Sequence, residues 1–517
     1  MHHLRLWNYL SLPWLAFALI FFFGFFYSAF FYEIDTQFLS SKYLFSLFKN
    51  TLVLSIATGF ISALIAVPLA IIVTLYKFPG HNFFSWALSL SIAFPAYIYA
   101  FIFVGAFEYA SPLATSFREI GIYLPSIKNL FGASVVMSMA LFPYIYLLAK
   151  AQLATMGVSL FKAAKTLGNT NYQAIKKIII PSLWPAVLAG VILVILETIA
   201  DFGGVSTLNI NTFTVGIYNA WFGYQSYYSG ARLAAYLLIF VFLFLFLSKF
   251  LYRKNHSVAS STAERYEKIK PKTFIQYLFT FICSLIFLIT FCFPLYQVID
   301  WAILNEYGSL ISNFKVFINS IVLGIVASLL TVSISIILAL SFINAKKLRL
   351  LITLSSSGYA VPGSVIAAGL LVNFNSIFNV SITTFGIIGL ILCLALRFIT
   401  PAFKYLTASL NNISPSSQNA LSGFSVSSLK AFLLFYFPQM RPAILMSMLV
   451  VFIEVIKEQP ATLLLRPVGF ETLSSKIYNY TSEGQWILAS LPSLFLIIIC
   501  LVLVYILNKN IDSEINN

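Results

Sequence analysis

Long apolar stretches that carry few charges recur along the whole chain. Each is close to the length that an α-helix needs to cross the hydrocarbon core of a bilayer, about 17–25 residues. The stretches are long and uncharged rather than weakly alternating over about ten residues, which predicts helices and not the strands of an outer-membrane barrel. We place twelve predicted spans near residues 13–31, 51–76, 85–108, 132–152, 183–200, 233–252, 274–296, 319–343, 351–373, 384–408, 442–457 and 486–507.

The composition agrees with this pattern. Of 517 residues, 60% are hydrophobic and 9% are charged, whereas a soluble domain carries about 25% charged residues. Phe alone occurs 52 times, which suits a surface in contact with acyl chains rather than water. The sequence therefore predicts an all-α membrane protein with about twelve transmembrane helices in a lipid bilayer.

The basic residues are distributed unevenly between the two sides of the predicted membrane. With the N-terminus in the cytoplasm, 21 of the 31 Lys and Arg fall in cytoplasmic segments and nine fall in outer ones. The positive-inside rule therefore favours cytoplasmic N- and C-termini. The net charge of +15 is then an orientation signal. It does not indicate a nucleic-acid partner, because the charges are divided among short loops rather than clustered on one face.

The acidic residues have the opposite distribution. Twelve of the 16 fall in outer loops or near the outer ends of spans. Acids contribute little to topology, so this bias requires another cause. Two explanations remain open, a cationic solute that approaches from that side and ordinary solvated loops.

The chain repeats one design in two halves. Four residues of the first half recur 257 positions later: Pro181 as Pro438, Pro185 as Pro442, Glu197 as Glu454, and Asp201 as Glu458. Upstream, Asn50-Thr51-Leu52 resembles Asn319-Ser320-Ile321 at an offset of 269, so the second copy is shorter in between. Both halves leave the membrane on the same side. This predicts a parallel repeat, related by a pseudo-twofold axis along the membrane normal, with a pathway along that axis.

The repeat also predicts the domain organisation. The boundaries are an N-terminal segment with the first helix (1–46), copy 1 (47–252), a basic cytoplasmic linker (253–273), the first helix of the second half with an outer loop (274–314), copy 2 (315–507) and a cytoplasmic tail (508–517). Pro95 and Pro362 interrupt the third span of each half. They are either kinks that shape a cavity or accidents of packing.

A cytoplasmic segment of the first copy has a recognisable spacing. Ala163 and Ala164 are followed by Gly168 and, further on, by Pro181. This resembles the EAA loop of ABC importer permeases, although Lys162 stands where that family has an acid. We expect a short helix, a glycine turn and a second short helix along the membrane surface, which Pro181 ends before the next span. In the family, this element docks into the ATP-binding subunit and transmits its closure.

The second copy of the segment departs further from the family pattern. Asn419 replaces the acid before Ala420, and Ser425 replaces the glycine. Gly423 could supply the turn instead, and Pro438 keeps its place. The alternative for both copies is a generic amphipathic cytoplasmic loop. If the resemblance holds, these residues form the second coupling segment.

The stretches after each segment resemble one family more specifically. Asp201-Phe202-Gly203 with residues 212–222 is similar to the first half of fused ferric-iron importer permeases, and residues 457–467 with 469–473 are similar to their second half. The resemblance extends over nearly the whole chain. It implies two type I ABC permease halves in a bacterial inner membrane, which pass ferric iron from a periplasmic iron-binding protein into the cytoplasm.

The same resemblance implies partners and cofactors. Two copies of a cytoplasmic ATP-binding subunit are expected, with ATP and Mg²⁺ bound there and no cofactor bound by this chain. No Gly-x-x-x-x-Gly-Lys-Ser/Thr motif occurs in the sequence, so the chain is expected to be a transport subunit and not an enzyme. Permeases for thiamine share the fused architecture, so another small solute such as thiamine is the alternative.

Four acids near the outer ends of spans are candidates for lining the pathway, namely Glu197, Asp201, Glu454 and Glu458. The spacing of four within each pair puts both acids on one helix face. Their carboxylate oxygens could attract a hard trivalent cation, with no fixed metal site. The alternative role is structural, in which the acids pair with Lys457 or Arg466 or reach the outer water.

Two other classes of membrane protein are alternatives to this interpretation. A secondary transporter would need acids or broken helices near the midplane, and it would leave the EAA-like segment unexplained. An intramembrane enzyme such as a lipid transferase would need convergent polar residues at one depth. Co-purification with an ATPase separates the ABC permease from the secondary transporter.

Overall fold

The structure is a computed structural model that describes residues 5–32, 40–155, 165–168, 170–252, 268–305, 310–378, 382–414, 416–417 and 426–516. These residues are helical almost throughout, with an isolated β-bridge between Tyr76 and Ile269. Most of the predicted linker, residues 253–267, lies outside them. The domain boundaries given above stay a prediction.

The described helices of the first half follow one another with short connections. They are α1 (Arg5–Phe31), α2 (Ser41–Leu75), α3 (His81–Ala87), α4 (Ala96–Phe107), α5 (Pro112–Glu119), α6 (Leu130–Thr155), α7 (Asn171–Ala200), α8 (Gly203–Thr207), α9 (Phe213–Tyr218) and α10 (Tyr227–Tyr252).

The described helices of the second half repeat this order, except that α5 has no counterpart among them. They are α11 (Thr273–Ile303), α12 (Leu310–Asn344), α13 (Arg349–Ser355), α14 (Gly363–Phe378), α15 (Ile382–Asn411), α16 (Ser428–Lys457), α17 (Pro460–Leu465), α18 (Leu473–Ser482) and α19 (Trp486–Asn516).

The apolar helices are numerous enough to account for the predicted spans. Within the described ranges, 11 helices are long and apolar enough to cross a membrane. The bent pair Lys346–Ala360 and Gly363–Phe374 would make a twelfth. The prediction of an all-α membrane protein with about twelve spans is confirmed.

The third span of each half is broken at its proline. In the first half, α3 leads into a 3₁₀ turn, Leu90–Ala93, and Pro95 immediately precedes α4. In the second half, the two helical pieces meet at a bend of 115° next to Pro362. Proline lacks the N–H that would continue a helix, and its ring collides with the preceding turn. The spans predicted near 85–108 and 351–373 are therefore broken helices and not continuous ones.

The helices of the two halves match at the offsets of the sequence repeat. Helices α2 and α12 both span 35 residues at an offset of 269. Helices α7 and α16 both span 30 residues at an offset of 257. Each of the latter contains a π-helical turn at the same place, Ile175–Ile179 and Phe432–Tyr436. The duplication inferred from the sequence is thus present in the backbone.

The π-helical turns explain how helices α7 and α16 pass their first prolines. Pro181 and Pro438 each follow the turn by two residues, and the helix continues beyond them. An α-helical proline would leave the carbonyl four residues earlier without a partner. In a π-helical turn the bond runs from residue i+5, as Ile180 N–H does to the carbonyl of Ile175. The expectation that Pro181 ends a surface helix before the span is wrong.

The first helix of each half packs against the opposite half. Helix α1 contacts α12 and α14, and α11 contacts α4. The amide of Asn373 on α14 donates to the carbonyl of Phe21 on α1 at 2.9 Å. The hydroxyl of Tyr99 on α4 donates to the carbonyl of Thr290 on α11. The two halves are therefore interlocked and share their buried core.

A pair of polar residues in α2 holds the turn that precedes α9. The Asn50 amide donates to the carbonyl of Asn211 at 3.0 Å. The Thr51 hydroxyl accepts the backbone N–H of Phe213 at 3.1 Å. Because an orphan N–H at a helix start needs an acceptor, this contact fixes where α9 begins.

The matching pair in α12 holds the turn before α18. The Asn319 amide donates to the carbonyl of Glu471 at 3.0 Å. The Ser320 hydroxyl accepts the backbone N–H of Leu473 at 2.7 Å. The resemblance of residues 50–52 to 319–321 therefore has a structural cause, since both pairs anchor a short helix to a long one.

We expect Thr51→Val to destabilise the protein. The substitution keeps the shape of the side chain but removes the acceptor, and Thr51 is buried with only 2% of its surface exposed. The N–H of Phe213 would then be buried without a partner, which costs about 1–3 kcal/mol. The midpoint of thermal unfolding of the purified protein in detergent should fall. Thr51→Ser keeps the hydroxyl and should stay close to the unchanged protein, and equal midpoints for both variants would contradict the anchoring role.

Candidate functional site

Helices α7 and α16 are each followed directly by an acid, and the carboxylate of that acid accepts a hydrogen bond from the first turn of the next short helix. Asp201 follows the last residue of α7, and its carboxylate accepts the N–H of Val205 in α8 at 3.0 Å. Glu458 follows the last residue of α16 and accepts the N–H of Ala461 in α17 at 3.2 Å. Both acids therefore stabilise a helix start, a structural role that was not among those expected from the sequence.

The four candidate acids meet at one cavity. Glu197, Asp201, Glu454 and Glu458 all line a cavity of about 90 Å³, which has room for a few water molecules. Pro95, Ala96 and Tyr97, at the break of the third span, form part of its wall. Because residues related by the repeat line the same cavity from both halves, it lies on the pseudo-twofold axis. Pro95 is therefore a break that shapes a cavity. That the acids line a pathway stays a prediction.

Glu458 pairs with a basic residue that the sequence did not indicate as its partner. The Arg397 guanidinium on α15 lies 3.1 Å from the Glu458 carboxylate, and both side chains are almost fully buried. The partners suggested from the sequence, Lys457 and Arg466, are wrong for this acid. Arg466 lies instead 3.8 Å from Glu471, outside the cavity. The one signal in the sequence was that Arg397 falls inside a predicted span, where a charge needs a partner.

Among the residues that the structure describes, this pairing occurs in the second half and has no counterpart in the first. Arg397 precedes Pro401 of α15 by four residues, and the residue in the same place before Pro143 of α6 is Met139. The first-half acid, Asp201, has a backbone N–H as its partner instead. The backbones of the two halves are thus equivalent at this point, but the second half has a charged arginine where the first has a neutral methionine.

Two contacts join the halves at the cavity, and each is made by a residue three positions before the proline of a broken span. Lys457, at the end of α16, donates to the carbonyl of Ile92 in the 3₁₀ turn of the first half at 2.8 Å. Tyr359, in the corresponding turn of the second half, donates to the Glu197 carboxylate on α7 at 2.5 Å. Ile92 precedes Pro95 by three residues, as Tyr359 precedes Pro362. Each broken span therefore touches the acid-bearing helix of the other half.

Three buried polar groups in the cavity wall have no hydrogen-bond partner among the described residues. They are the hydroxyl of Tyr97, the Nε of Arg397 and the Oε1 of Gln459, each on a side chain at least nine-tenths buried. All three residues line the cavity. Buried polar groups are nearly always satisfied by protein, water or solute, so the cavity has a polar lining beyond its acids.

The coupling residues are only partly within the described residues. Ala163, Ala164, Asn419, Ala420, Gly423 and Ser425 lie outside them. Gly168 is described, with a φ of 79° in the left-handed region that suits a glycine turn. Pro181 and Pro438 lie at the same place on α7 and α16, far from the cavity at the opposite end of each helix.

Comparison with known proteins gives the same two-part division. A model of the family described as "Binding-protein-dependent transport system inner membrane component" matches residues 66–256 and residues 331–517. One match falls in each half of the repeat. The chain is also similar along most of its length to individual proteins.

Three relatives illustrate the range of similarity. The Fe(3+)-transport system permease protein FbpB 2 of Haemophilus influenzae is 26% identical over 474 residues, 90% of this chain and 89% of that protein. The ferric transport system permease protein FbpB of Actinobacillus pleuropneumoniae is 23% identical over 398 residues, 72% of this chain and 57% of that protein. The sulfate transport system permease protein CysT of Salmonella typhimurium is 25% identical over 158 residues, 31% of this chain and 56% of that protein.

The family model matches both halves, and the two matches together cover more than half of the chain. The repeat, the spans and the interlocked first helices agree with an inner-membrane subunit built from two copies of one domain. The chain therefore belongs to the family of binding-protein-dependent transport system inner membrane components.

Proposed function

We propose that this chain is the permease subunit of an ATP-driven importer that passes ferric iron from a binding protein into the cytoplasm. The observation that carries the proposal is the cavity on the pseudo-twofold axis with acids from both halves in its wall. The relatives named for ferric transport, one of them similar along nearly the whole chain, support the choice of solute.

The charge of the cavity favours a cation. Four carboxylates line it, against one guanidinium and one ammonium group, those of Arg397 and Lys457. Carboxylate oxygens suit hard cations, and a net negative lining would repel an anion. Some relatives are named for sulfate transport, but over a smaller part of the chain. An anion conduit of that kind would not be expected to have this lining.

The size of the cavity favours a small ion over an organic solute such as thiamine. Pockets for drug-sized ligands are about 300–1,000 Å³, and this cavity is about 90 Å³. Family membership also argues against a secondary transporter, although broken helices beside buried acids occur in that class as well.

We further infer that the two segments 157–181 and 414–438 face the cytoplasm and each dock on one ATP-binding subunit, where ATP and Mg²⁺ bind. The described residues 170–181 and 427–438 support this, because each begins a helix that contains a π-helical turn at the same place. Thr170 caps α7 and Ser427 caps α16 through the same side-chain to backbone hydrogen bond. Two equivalent docking elements suit two copies of one subunit. The excess of basic residues on this side supports cytoplasmic N- and C-termini.

We expect Gly168→Val to impair coupling to the ATPase. No atom lies within 4 Å of the place where a Cβ would be, so the effect would come from the backbone. Residues other than glycine cost roughly 1–2 kcal/mol in the left-handed region, and Asn is better tolerated there. Iron uptake into vesicles, or retention of the ATPase subunit during purification, should fall while membrane insertion is unchanged.

The matched variant is Gly168→Asn, which adds a side chain but tolerates the same φ. It should retain more uptake than Gly168→Val. If Gly168→Val binds the ATPase and transports iron at the rate of the unchanged protein, the coupling role of this turn is refuted.

We expect the double variant Glu197→Gln with Glu454→Gln to reduce iron uptake. Gln keeps the size of the side chain and can still accept the Tyr359 hydroxyl, so only the charge is lost. Two opposite unit charges roughly 4 Å apart attract each other by about 4 kcal/mol at an effective dielectric constant of 20. Losing about a third of that attraction between a carboxylate and the cation corresponds to about a tenfold change in rate. Uptake should therefore fall about tenfold or more, while the complex assembles and hydrolyses ATP.

Exposed acids of the outer loops provide the matched control. Glu119→Gln with Glu483→Gln removes the same charge away from the cavity and should leave most of the uptake. An unaltered rate in the cavity variant would mean that Glu197 and Glu454 are structural. Uptake of thiamine but not of iron by the unchanged complex would refute the proposed solute.

A further inference from the structure

Two tyrosines that the repeat relates to each other are in contact. Tyr218 lies five residues after the start of α9, and Tyr478 lies five residues after the start of α18. Their ring centroids are 5.6 Å apart, with the rings edge to face. Two groups related by a pseudo-twofold axis can touch only where the axis passes between them. The Tyr218–Tyr478 contact therefore lies on the axis, as the acid cavity does.

A third ring completes this contact. Phe202, the residue after Asp201, is 2% exposed. Its ring centroid lies 4.5 Å from that of Tyr218 and 5.2 Å from that of Tyr478. In the second half, the residue after Glu458 is Gln459, so the axis holds one phenylalanine and not two. The three rings therefore pack on one another.

The rings separate two cavities. Phe202 lines the acid cavity described above. Tyr218 lines a second and larger cavity of about 700 Å³, together with Trp221, Phe470 and the ion-paired Arg466. Since the Phe202 and Tyr218 rings are in contact, the wall between the two cavities on this path is two aromatic rings thick.

We propose that Tyr218, Tyr478 and Phe202 form the outer gate of the pathway, between an outer vestibule and the acid cavity. The word "outer" rests on the proposed function, because it assumes that the Pro181 and Pro438 ends of α7 and α16 are cytoplasmic. Packed rings on the axis leave no room for a hydrated ion, and apolar constrictions also gate by excluding water.

The anchoring of the rings indicates how the gate opens. Tyr218 is on α9, which Thr51 holds to α2 of its own half. Tyr478 is on α18, which Ser320 holds to α12 of the other half. The rings must therefore part when the two halves move relative to each other. A motion of this kind, driven from the coupling segments, would open the cavity to the vestibule.

The gate can be tested by the accessibility of the acid cavity from outside. The four native cysteines, Cys283, Cys292, Cys393 and Cys500, are first replaced with Ala. Ala200→Cys then places a single thiol in the cavity wall. The assembled complex without ATP is treated from the outside with a membrane-impermeant cationic methanethiosulfonate reagent, and the rate of modification is measured.

We expect slow modification with the native rings and fast modification with Tyr218→Ala and Tyr478→Ala together. A minor open state is populated at about 0.1–10%, so removing the barrier should raise the rate about tenfold or more. Tyr218→Phe with Tyr478→Phe keeps the rings and should stay slow. Tyr123→Ala, an exposed ring of an outer loop, controls for general loosening and should also stay slow.

Fast modification with the native rings, or equal rates with and without them in a complex that still binds its ATPase, would overturn the gate. If the double Ala variant does not assemble, Tyr218→Cys with Tyr478→Cys in the chain without native cysteines provides the second test. Contact between two tyrosine rings does not place the Cβ atoms within disulfide distance, so the two thiols are joined with a short bifunctional methanethiosulfonate reagent. The joined complex should not transport, and reduction should restore uptake. Uptake by the joined complex would overturn the gate. The modification rate is measured without iron, so it tests the gate independently of the proposed solute.

Discussion

The cost of burying charge within a bilayer decides how the centre of this protein is built. An isolated ion in a low-dielectric interior is expensive unless it is paired or reaches water. Arg397 and Glu458 meet this constraint as a buried ion pair, and the remaining acids of the centre lie on the cavity. The close approach also requires Gly363, because a Cβ there would collide with both the Glu458 carboxylate and the Arg397 guanidinium. The break at Pro362 brings this glycine beside the pair.

Because of the duplication, the two halves have the same backbone structure. Because their sequences have diverged, equivalent side chains near the pseudo-twofold axis differ in their chemistry. Long helices, π-helical turns, caps and anchors recur at fixed offsets. At the axis, however, equivalent places differ: Ala200 and Lys457, Phe202 and Gln459, Met139 and Arg397. Two identical subunits would place identical groups opposite each other across the axis, including like charges that repel. A fused chain avoids this constraint, because each half can supply the complement of the other.

The breaks in the helices are where the transport subunit concentrates its polar groups. Acids end α7 and α16, and both third spans are interrupted at a proline. Irregular backbone at membrane depth is tolerated where it is buried in protein or lines a cavity. In this protein, backbone groups next to the breaks form hydrogen bonds with charged side chains. The Ile92 carbonyl accepts from Lys457, and the Val205 and Ala461 N–H groups donate to Asp201 and Glu458. The same breaks therefore shape the cavity and satisfy its charges.

The sequence by itself determined the features that are local or periodic. Run length predicted the spans, the offsets of 257 and 269 predicted matched helices, and the spacing of the acids put them near the same ends of α7 and α16. It misjudged Pro181, because a proline after a helical turn is compatible with a stop or with a π-helical turn. Only the tertiary structure decided that Arg397 pairs with Glu458, that Lys457 contacts Ile92 and that Tyr218 meets Tyr478. These partners lie 61, 365 and 260 positions apart, and which of them meet depends on how whole helices pack, which no local pattern encodes.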